Sequence, residues 1–256
     1  MPMAADAIRD KLKEAEIIPT VIDDFRPSLG LHVTWWSKER ALLGNSIKPE
    51  RLQEVPSIAL HDIRASSSSG SDPSPDSQIT YVITLTDPDA PSRDDPKWAE
   101  YCHWIASGTL KPGICDPKHP EPCPPVLSDL NELVKYKAPT PPEKTSWHRY
   151  VFLAFVPSNG TTEKLHLSEP GERKRWGYEE GKGKEKGKTK GVRQWAEENG
   201  LAPVVRGLSP GSLMLWLDAA WGICFTRCRA MVGMPDRPQH DETGNVPRTQ
   251  CMVIVG

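Results

Sequence analysis

TDPDAPSR at residues 86–93, with His103-Trp104 ten residues further on, decides how this chain is read. Just upstream, ITYVITL at 79–85 places Ile79, Tyr81, Ile83 and Leu85 on one face, the period-two pattern of a strand. Pro88 and Pro91 each fix their own φ and remove a backbone donor. They also push Asp87 and Ala90 toward extended geometry. A sheet interior rejects such a segment, whereas a stiff loop at a strand end accepts it. The predicted result is a strand that stops at a braced loop holding two carboxylates, Asp87 and Asp89.

Working outward, the strongest strand is HRYVFLAFV at 148–156, closed by the turn signal Pro157-Ser158-Asn159-Gly160. His103-Trp104-Ile105 opens another strand, and residues 31–36 alternate as a further one. Helices are predicted near the ends. Residues 4–16 form one, with Ile8, Leu12 and Ala15 at helical spacing and Asp6 as its cap. Val192, Trp195 and Ala196 mark a second, stopped by Asn199-Gly200. Strands separated by long proline-rich connections, with 26 prolines in 256 residues, predict a mainly β fold, a β-sandwich with peripheral helices.

Composition excludes several function classes. A formal net charge of −2 lacks the basic excess of a nucleic-acid binder. Residues 1–16 are charged and lack the apolar core of a signal peptide. Residues 213–225, the longest apolar stretch, are too short to span a bilayer. Six cysteines make no dense framework, so a reducing, cytoplasmic setting is expected. Two segments are predicted to be flexible loops: the polar run at 66–77 and GKGKEKGKTKG at 181–191. The lysines of the second suit a solvated loop, or a basic flap for peripheral contact with an anionic membrane surface.

Polar residues concentrate in three places: 87–93, Cys102-His103-Trp104, and His148-Arg149-Tyr150. A histidine at a strand start beside a stiff acidic loop can meet an anion through its ring nitrogens. A nearby carboxylate would orient that ring and raise its proton affinity.

DPDAPSR, the following HW, and HRYVF after YKAPTPPEKTSW resemble the two signature regions of the phosphatidylethanolamine-binding protein family. AEIIPTVIDDF at 15–25 and LLGNSIKPERLQEVPSI at 42–58 resemble its fungal, carboxypeptidase Y inhibitor-like branch. The resemblance implies one domain over residues 1–204, a large antiparallel sheet packed on a smaller one. It also implies a small pocket for phosphate, phosphoethanolamine-like phospholipid headgroups or carboxylates. Matched residue by residue, the ligand-binding set is Asp87, Pro91, His103, His148 and Tyr150, with Trp98 and Tyr101 at the mouth. His103 and His148 are expected as anion donors, Asp87 as the carboxylate that orients them or meets an amine, and Tyr150 as a hydroxyl donor. Asp89 and Arg93 are expected to hold the loop together. Ala138 and Ser146 stand where the family pattern has glycine.

The function this implies is non-catalytic binding and regulation, including inhibition of a serine carboxypeptidase through protein contacts. The alternative is an auxiliary protein assisting cyclisation or coupling of carboxylate or anhydride metabolites, with Asp87, His103, His148 and Tyr150 as acid–base groups. No activated nucleophile accompanies them. No cofactor and no metal are expected, since CxxxC at 224–228 has no histidine at zinc spacing. Cys115 and Cys123 flank a loop and could pair under oxidising conditions. Residues 205–256 depart from the family pattern. They are set apart as an atypical, poorly ordered tail, read either as translated intron or shifted frame, or as a diverged segment.

Overall fold

His148–Pro157 forms the strand around which the rest is organised, because it is buried along nearly its whole length. Its alternate side chains serve two different cores. Val151, Leu153 and Phe155 face one hydrophobic cluster, and Tyr150, Phe152 and Ala154 face another. A strand covered on both sides must be apolar on both faces, and VFLAF at 151–155 supplies that. The coordinates are a computed structural model describing residues 5–25, 27, 29–63, 78–113, 123–143, 145, 147–163, 165–176, 191–203, 222–229 and 250–255.

In chain order the elements are α1 (Ala5–Glu14), β1 (Leu29–Thr34), β2 (Asn45–Ile47), β3 (Ser57–Asp62), β4 (Thr80–Asp87), β5 (Tyr101–Lys111), β6 (Val126–Val134), β7 (His148–Pro157), α2 (Gly191–Glu198), β8 (Leu201–Pro203), β9 (Gly222–Arg229) and β10 (Gln250–Val255). A single 3-10 turn, Pro49–Arg51, follows β2. The strands form one connected sheet in the order β1-β3-β6-β5-β4-β7-β9-β10-β2, with β8 beside β7. The sheet curls so that β1 comes against β9 and β10. The mainly β architecture therefore matches the sequence, with two layers made by one sheet folding over itself.

Between the layers lie Leu31, Val33, Leu60, Ile83, Leu85, Trp104 and Phe152. On the outer face of β4, β5 and β7, a second core is closed by α1, residues 17–25, Trp176 and α2. Ile8 and Leu12 of α1, at helical spacing, are both buried there. Each such side chain is worth about 1.5–3 kcal/mol. Asp6, expected as the cap, lies in the first turn of α1. α2 buries Val192, Trp195 and Ala196, and Gly200 at φ 61 ends it in the left-handed conformation that favours glycine.

Two readings shift. The strand expected at 31–36 ends at Thr34, and Trp36 sits in the following turn, 88% exposed. The loop at 66–77 lies outside the described residues, as does 181–191 except Gly191, which opens α2. Of the tail at 205–256, the described parts are β9 and β10. β9 pairs antiparallel with β7 from His148↔Cys228 to Ala154↔Gly222, and β10 pairs with β9.

Candidate functional site

A register fault in the sheet creates the site. β4 and β5 pair regularly as far as Leu85↔Trp104, after which Thr86 pairs with Cys102. His103 is the surplus residue of this β-bulge, a device that re-aims side chains. Its carbonyl, lost to the ladder, accepts the Lys137 N–H at 2.9 Å and Arg173 Nη1 at 3.1 Å. Arg173 also donates to the carbonyls of Cys102 at 3.2 Å and Lys135 at 2.7 Å, clamping the bulge from outside.

β4 ends at Asp87, opposite Tyr101 of β5 and beside the start of β7. Asp87 Oδ1 accepts the Asp89 N–H at 2.8 Å, closing the proline-braced turn. Its Oδ2 lies 2.9 Å from His148 Nδ1, both side chains almost fully buried. His148 Nε2 lies 3.1 Å from the Thr145 hydroxyl, which itself donates to the Pro142 carbonyl at 2.8 Å. That hydroxyl has one hydrogen, already given, so it accepts from Nε2–H. One further proton lies between Asp87 and His148, and the dyad is neutral as a unit. Its members pull in the same direction: burial raises the Asp87 carboxyl, and Asp87 raises His148 against the opposing effect of burial.

A cavity of about 180 Å³ opens here. It is lined by all seven residues expected at a binding site: Asp87, Pro91, Trp98, Tyr101, His103, His148 and Tyr150. Four of their rings form a continuous wall. His103 meets Tyr101 at 4.9 Å and Tyr150 edge-on at 5.0 Å, and Tyr150 stacks on His148 at 6.3 Å. Six further residues line it that the sequence did not single out as ligand contacts: Ala90, Lys137, Thr140, Pro141, Pro142 and Lys174. Lys137 Nζ donates to the Tyr101 hydroxyl at 2.8 Å, and Lys174 Nζ stands 4.3 Å over the Trp98 ring. With the dyad neutral, these two cations give the mouth its charge. Lys137 stands just after β6, in the YKAPTPPEKTSW stretch that precedes HRYVF, whereas Lys174 comes from a distant strap outside both motifs.

The donor role expected of both imidazoles differs from what the geometry offers. Both nitrogens of His148 are committed to the protein. His103 Nδ1 donates to the Lys137 carbonyl at 2.8 Å. Burial, together with Lys137 and Arg173, pushes its pKa down to about 3, so the ring is neutral. The free donors are instead the Tyr101 and Tyr150 hydroxyls and the two lysines. Burial and Asp87 raise Tyr150 well above its ordinary value, keeping its hydroxyl protonated.

Asp89 and Arg93 do not line the cavity. Asp89 faces the other side of β7, accepting the Arg149 N–H at 2.7 Å and its guanidinium at 2.6 and 2.9 Å. Arg149 continues to the carbonyls of Ala15 and Glu16, and Arg93 pairs with the Glu16 carboxylate. The loop is thereby tied to the end of α1. Ala138 is half-buried, and Ser146 lies outside the described residues. Cys102 is free and buried, and Cys123 is disulfide-bonded, while Cys115 lies outside the described residues. Among the described residues no three His, Cys, Asp or Glu side chains are placed to hold a metal, and no helix is long and apolar enough to cross a membrane.

A family model described as phosphatidylethanolamine-binding protein matches residues 39–208. The carboxypeptidase Y inhibitor of Saccharomyces cerevisiae is 29% identical over 215 residues, covering 77% of this chain and 91% of that protein. Among solved structures, the carboxypeptidase Y inhibitor complexed with its cognate proteinase superposes with a TM-score of 0.59 at 29% identity, covering 77% of this chain and 90% of that one. The phosphatidylethanolamine-binding protein from Plasmodium vivax gives 0.51 at 17% identity, covering 78% and 92%, a likeness of fold alone.

Proposed function

The chain belongs to the phosphatidylethanolamine-binding protein family, and from that premise we propose that it is a non-catalytic protein with two linked capacities. It holds a small oxyanion, free or as a phospholipid headgroup, in the cavity at the end of β4, and it inhibits a serine carboxypeptidase through protein contacts. The observation that carries the first is the mouth itself. Two lysines and two tyrosine hydroxyls converge on a cavity of about 180 Å³ whose remaining ionisable groups are neutral. Charged and hydroxyl donors around a small space open to solvent on one side suit an anion. The relative in yeast, named a carboxypeptidase Y inhibitor, supports the second.

An auxiliary catalytic role finds less support. The Asp87–His148–Thr145 relay has the outline of a nucleophilic triad, but the Thr145 hydroxyl gives its hydrogen to the Pro142 carbonyl and does not line the cavity. Two titrations test the proposal. Calorimetry with inorganic phosphate should show one saturable site, abolished by filling the cavity with Tyr150→Trp. Purified serine carboxypeptidase should lose activity at micromolar concentrations of this protein; undiminished hydrolysis would remove the inhibitory half.

A further inference from the structure

We propose that this cavity is selective for oxyanions that carry a hydrogen, phosphate and protonated phosphomonoesters rather than sulfate, and that His103 is the selecting residue. The inference rests on the anion-binding reading above and narrows it to the free oxyanion, since the phosphodiester of a phospholipid headgroup carries no such hydrogen near neutral pH.

His103 and Lys137 exchange hydrogen bonds. The Lys137 N–H donates to the His103 carbonyl at 2.9 Å, and His103 Nδ1 donates back to the Lys137 carbonyl at 2.8 Å. A carbonyl can only accept, so Nδ1 must carry the hydrogen. The neutral ring then has a lone pair on Nε2, for which no protein partner exists among the described residues. Because His103 is the extra residue of the bulge and its backbone is clamped by Arg173, the ring cannot exchange one nitrogen for the other without breaking that mutual pair.

Protonating Nε2 would turn it into a donor, but the surroundings oppose this. Lys137 and Arg173 are cationic, the ring is buried, and the Asp87–His148 dyad supplies no net negative charge. Tyr101 and Tyr150, which flank the ring, bring no carboxylate to it. His103 therefore stands as a fixed acceptor beside the hydroxyl and ammonium donors of the mouth, the Asp87 carboxylate being already engaged by the Asp89 N–H and His148.

A ligand must fit both signs. It needs oxygens for Tyr101, Tyr150, Lys137 and Lys174, and one hydrogen for His103. Inorganic phosphate has that hydrogen in both forms present near neutral pH. Sulfate, of similar size and charge, has none, and would set an oxygen lone pair against the Nε2 lone pair. Sites built around a fixed hydrogen bond reject analogues lacking the partner far more strongly than pockets that sort by size.

The test is a competition between two ions on the full chain. Calorimetry at pH 7.5 and constant ionic strength should give phosphate at least about tenfold tighter binding than sulfate. His103→Gln, whose amide can turn its NH2 toward the ligand, should bring the ratio close to one while anion binding persists. Equal affinity for the two ions in the unaltered protein, or a preference that survives His103→Gln, overturns the selection and leaves the anion site standing. Binding of neither ion overturns the anion-binding half of the proposed function, and this inference with it. Should His103→Gln fail to fold, 15N spectra of the unaltered protein decide. Nε2 must show the shift of an unprotonated nitrogen and move on adding phosphate but not sulfate; a protonated Nε2 sinks the idea.

Discussion

The carboxylate of Asp89 and the guanidinium of Arg149 form a buried, two-pronged ion pair back-to-back with the Asp87–His148 dyad. Nη2 reaches Oδ1 at 2.6 Å and Nε reaches Oδ2 at 2.9 Å. Neighbouring residues of one strand point to opposite faces. His148 thus serves the cavity while Arg149 serves the anchor to α1. Removing one partner strands a buried charge, which costs roughly 3–5 kcal/mol. Asp89→Ala should lower the urea midpoint accordingly and speed amide exchange in α1, whose end is held by Arg149. An unshifted midpoint would show the pair to be energetically idle.

His148 should titrate above the ordinary histidine value, since the hydrogen bond and charge of Asp87 outweigh burial. Asp87→Asn takes away the larger part of that support and leaves desolvation opposed only by Asp89 and the Pro91 backbone, so the ring should titrate lower than in the unaltered protein. NMR titration of the imidazole resonances measures both. Phosphate affinity should fall in the same variant, because the dyad positions the wall of the cavity.

Glu100 predicts a pH dependence. Its carboxyl is 2% exposed and burial lifts its pKa from 4.5 to about 7, with hydrogen bonds from Thr86 and the Val192 N–H only partly offsetting this. The folded state therefore binds the proton more tightly than the unfolded one. Its contribution is fully present below pH 4.5 and is lost as pH rises through about 7. The full change is on the order of 3 kcal/mol, each tenfold in proton affinity being worth about 1.4 kcal/mol. Buried His103 and half-buried His32, lowered to about 3 and about 4, slope the other way, so the comparison must be with Glu100→Gln. That variant should remove the decline between pH 4.5 and 7; identical curves for both proteins would refute the assignment.

Gly191 lies against the same carboxylate. Its φ is +46, and an added Cβ would fall 1.7 Å from Glu100 Oε1. Gly191→Ala should cost about 1–3 kcal/mol in thermal or urea unfolding, and less in the Glu100→Ala background, where the obstruction is gone.

Lys137 and Lys174 are exposed, so their pull on an anion is screened. Each lysine-to-alanine change should weaken phosphate binding by about 0.5–1 kcal/mol at low salt. The difference should shrink as the ionic strength approaches 1 M.

How much of this was legible in the sequence depends on what kind of information each feature uses. β4 and β7 announce themselves through alternation and through prolines that end a strand, which are local properties. The seven cavity residues were legible because two contiguous motifs carry most of them. The bulge at His103 was not, because register is a relation between two strands and leaves no mark in the period of one. Arg173 and Lys174 arrive from a segment some seventy residues away, and Glu100 is buried against a helix far along the chain. Trp36 continues the alternation of β1 on paper, yet the chain turns at Trp35, whose indole donates to Tyr136.

The surplus residue in β5 has an evolutionary reading. A side chain that occupies no rung of the ladder can be exchanged while every pairing around it stays in place. Choice of guest and strand register are therefore written at separate addresses, the one in a side chain and the other in the pairings on either side of it.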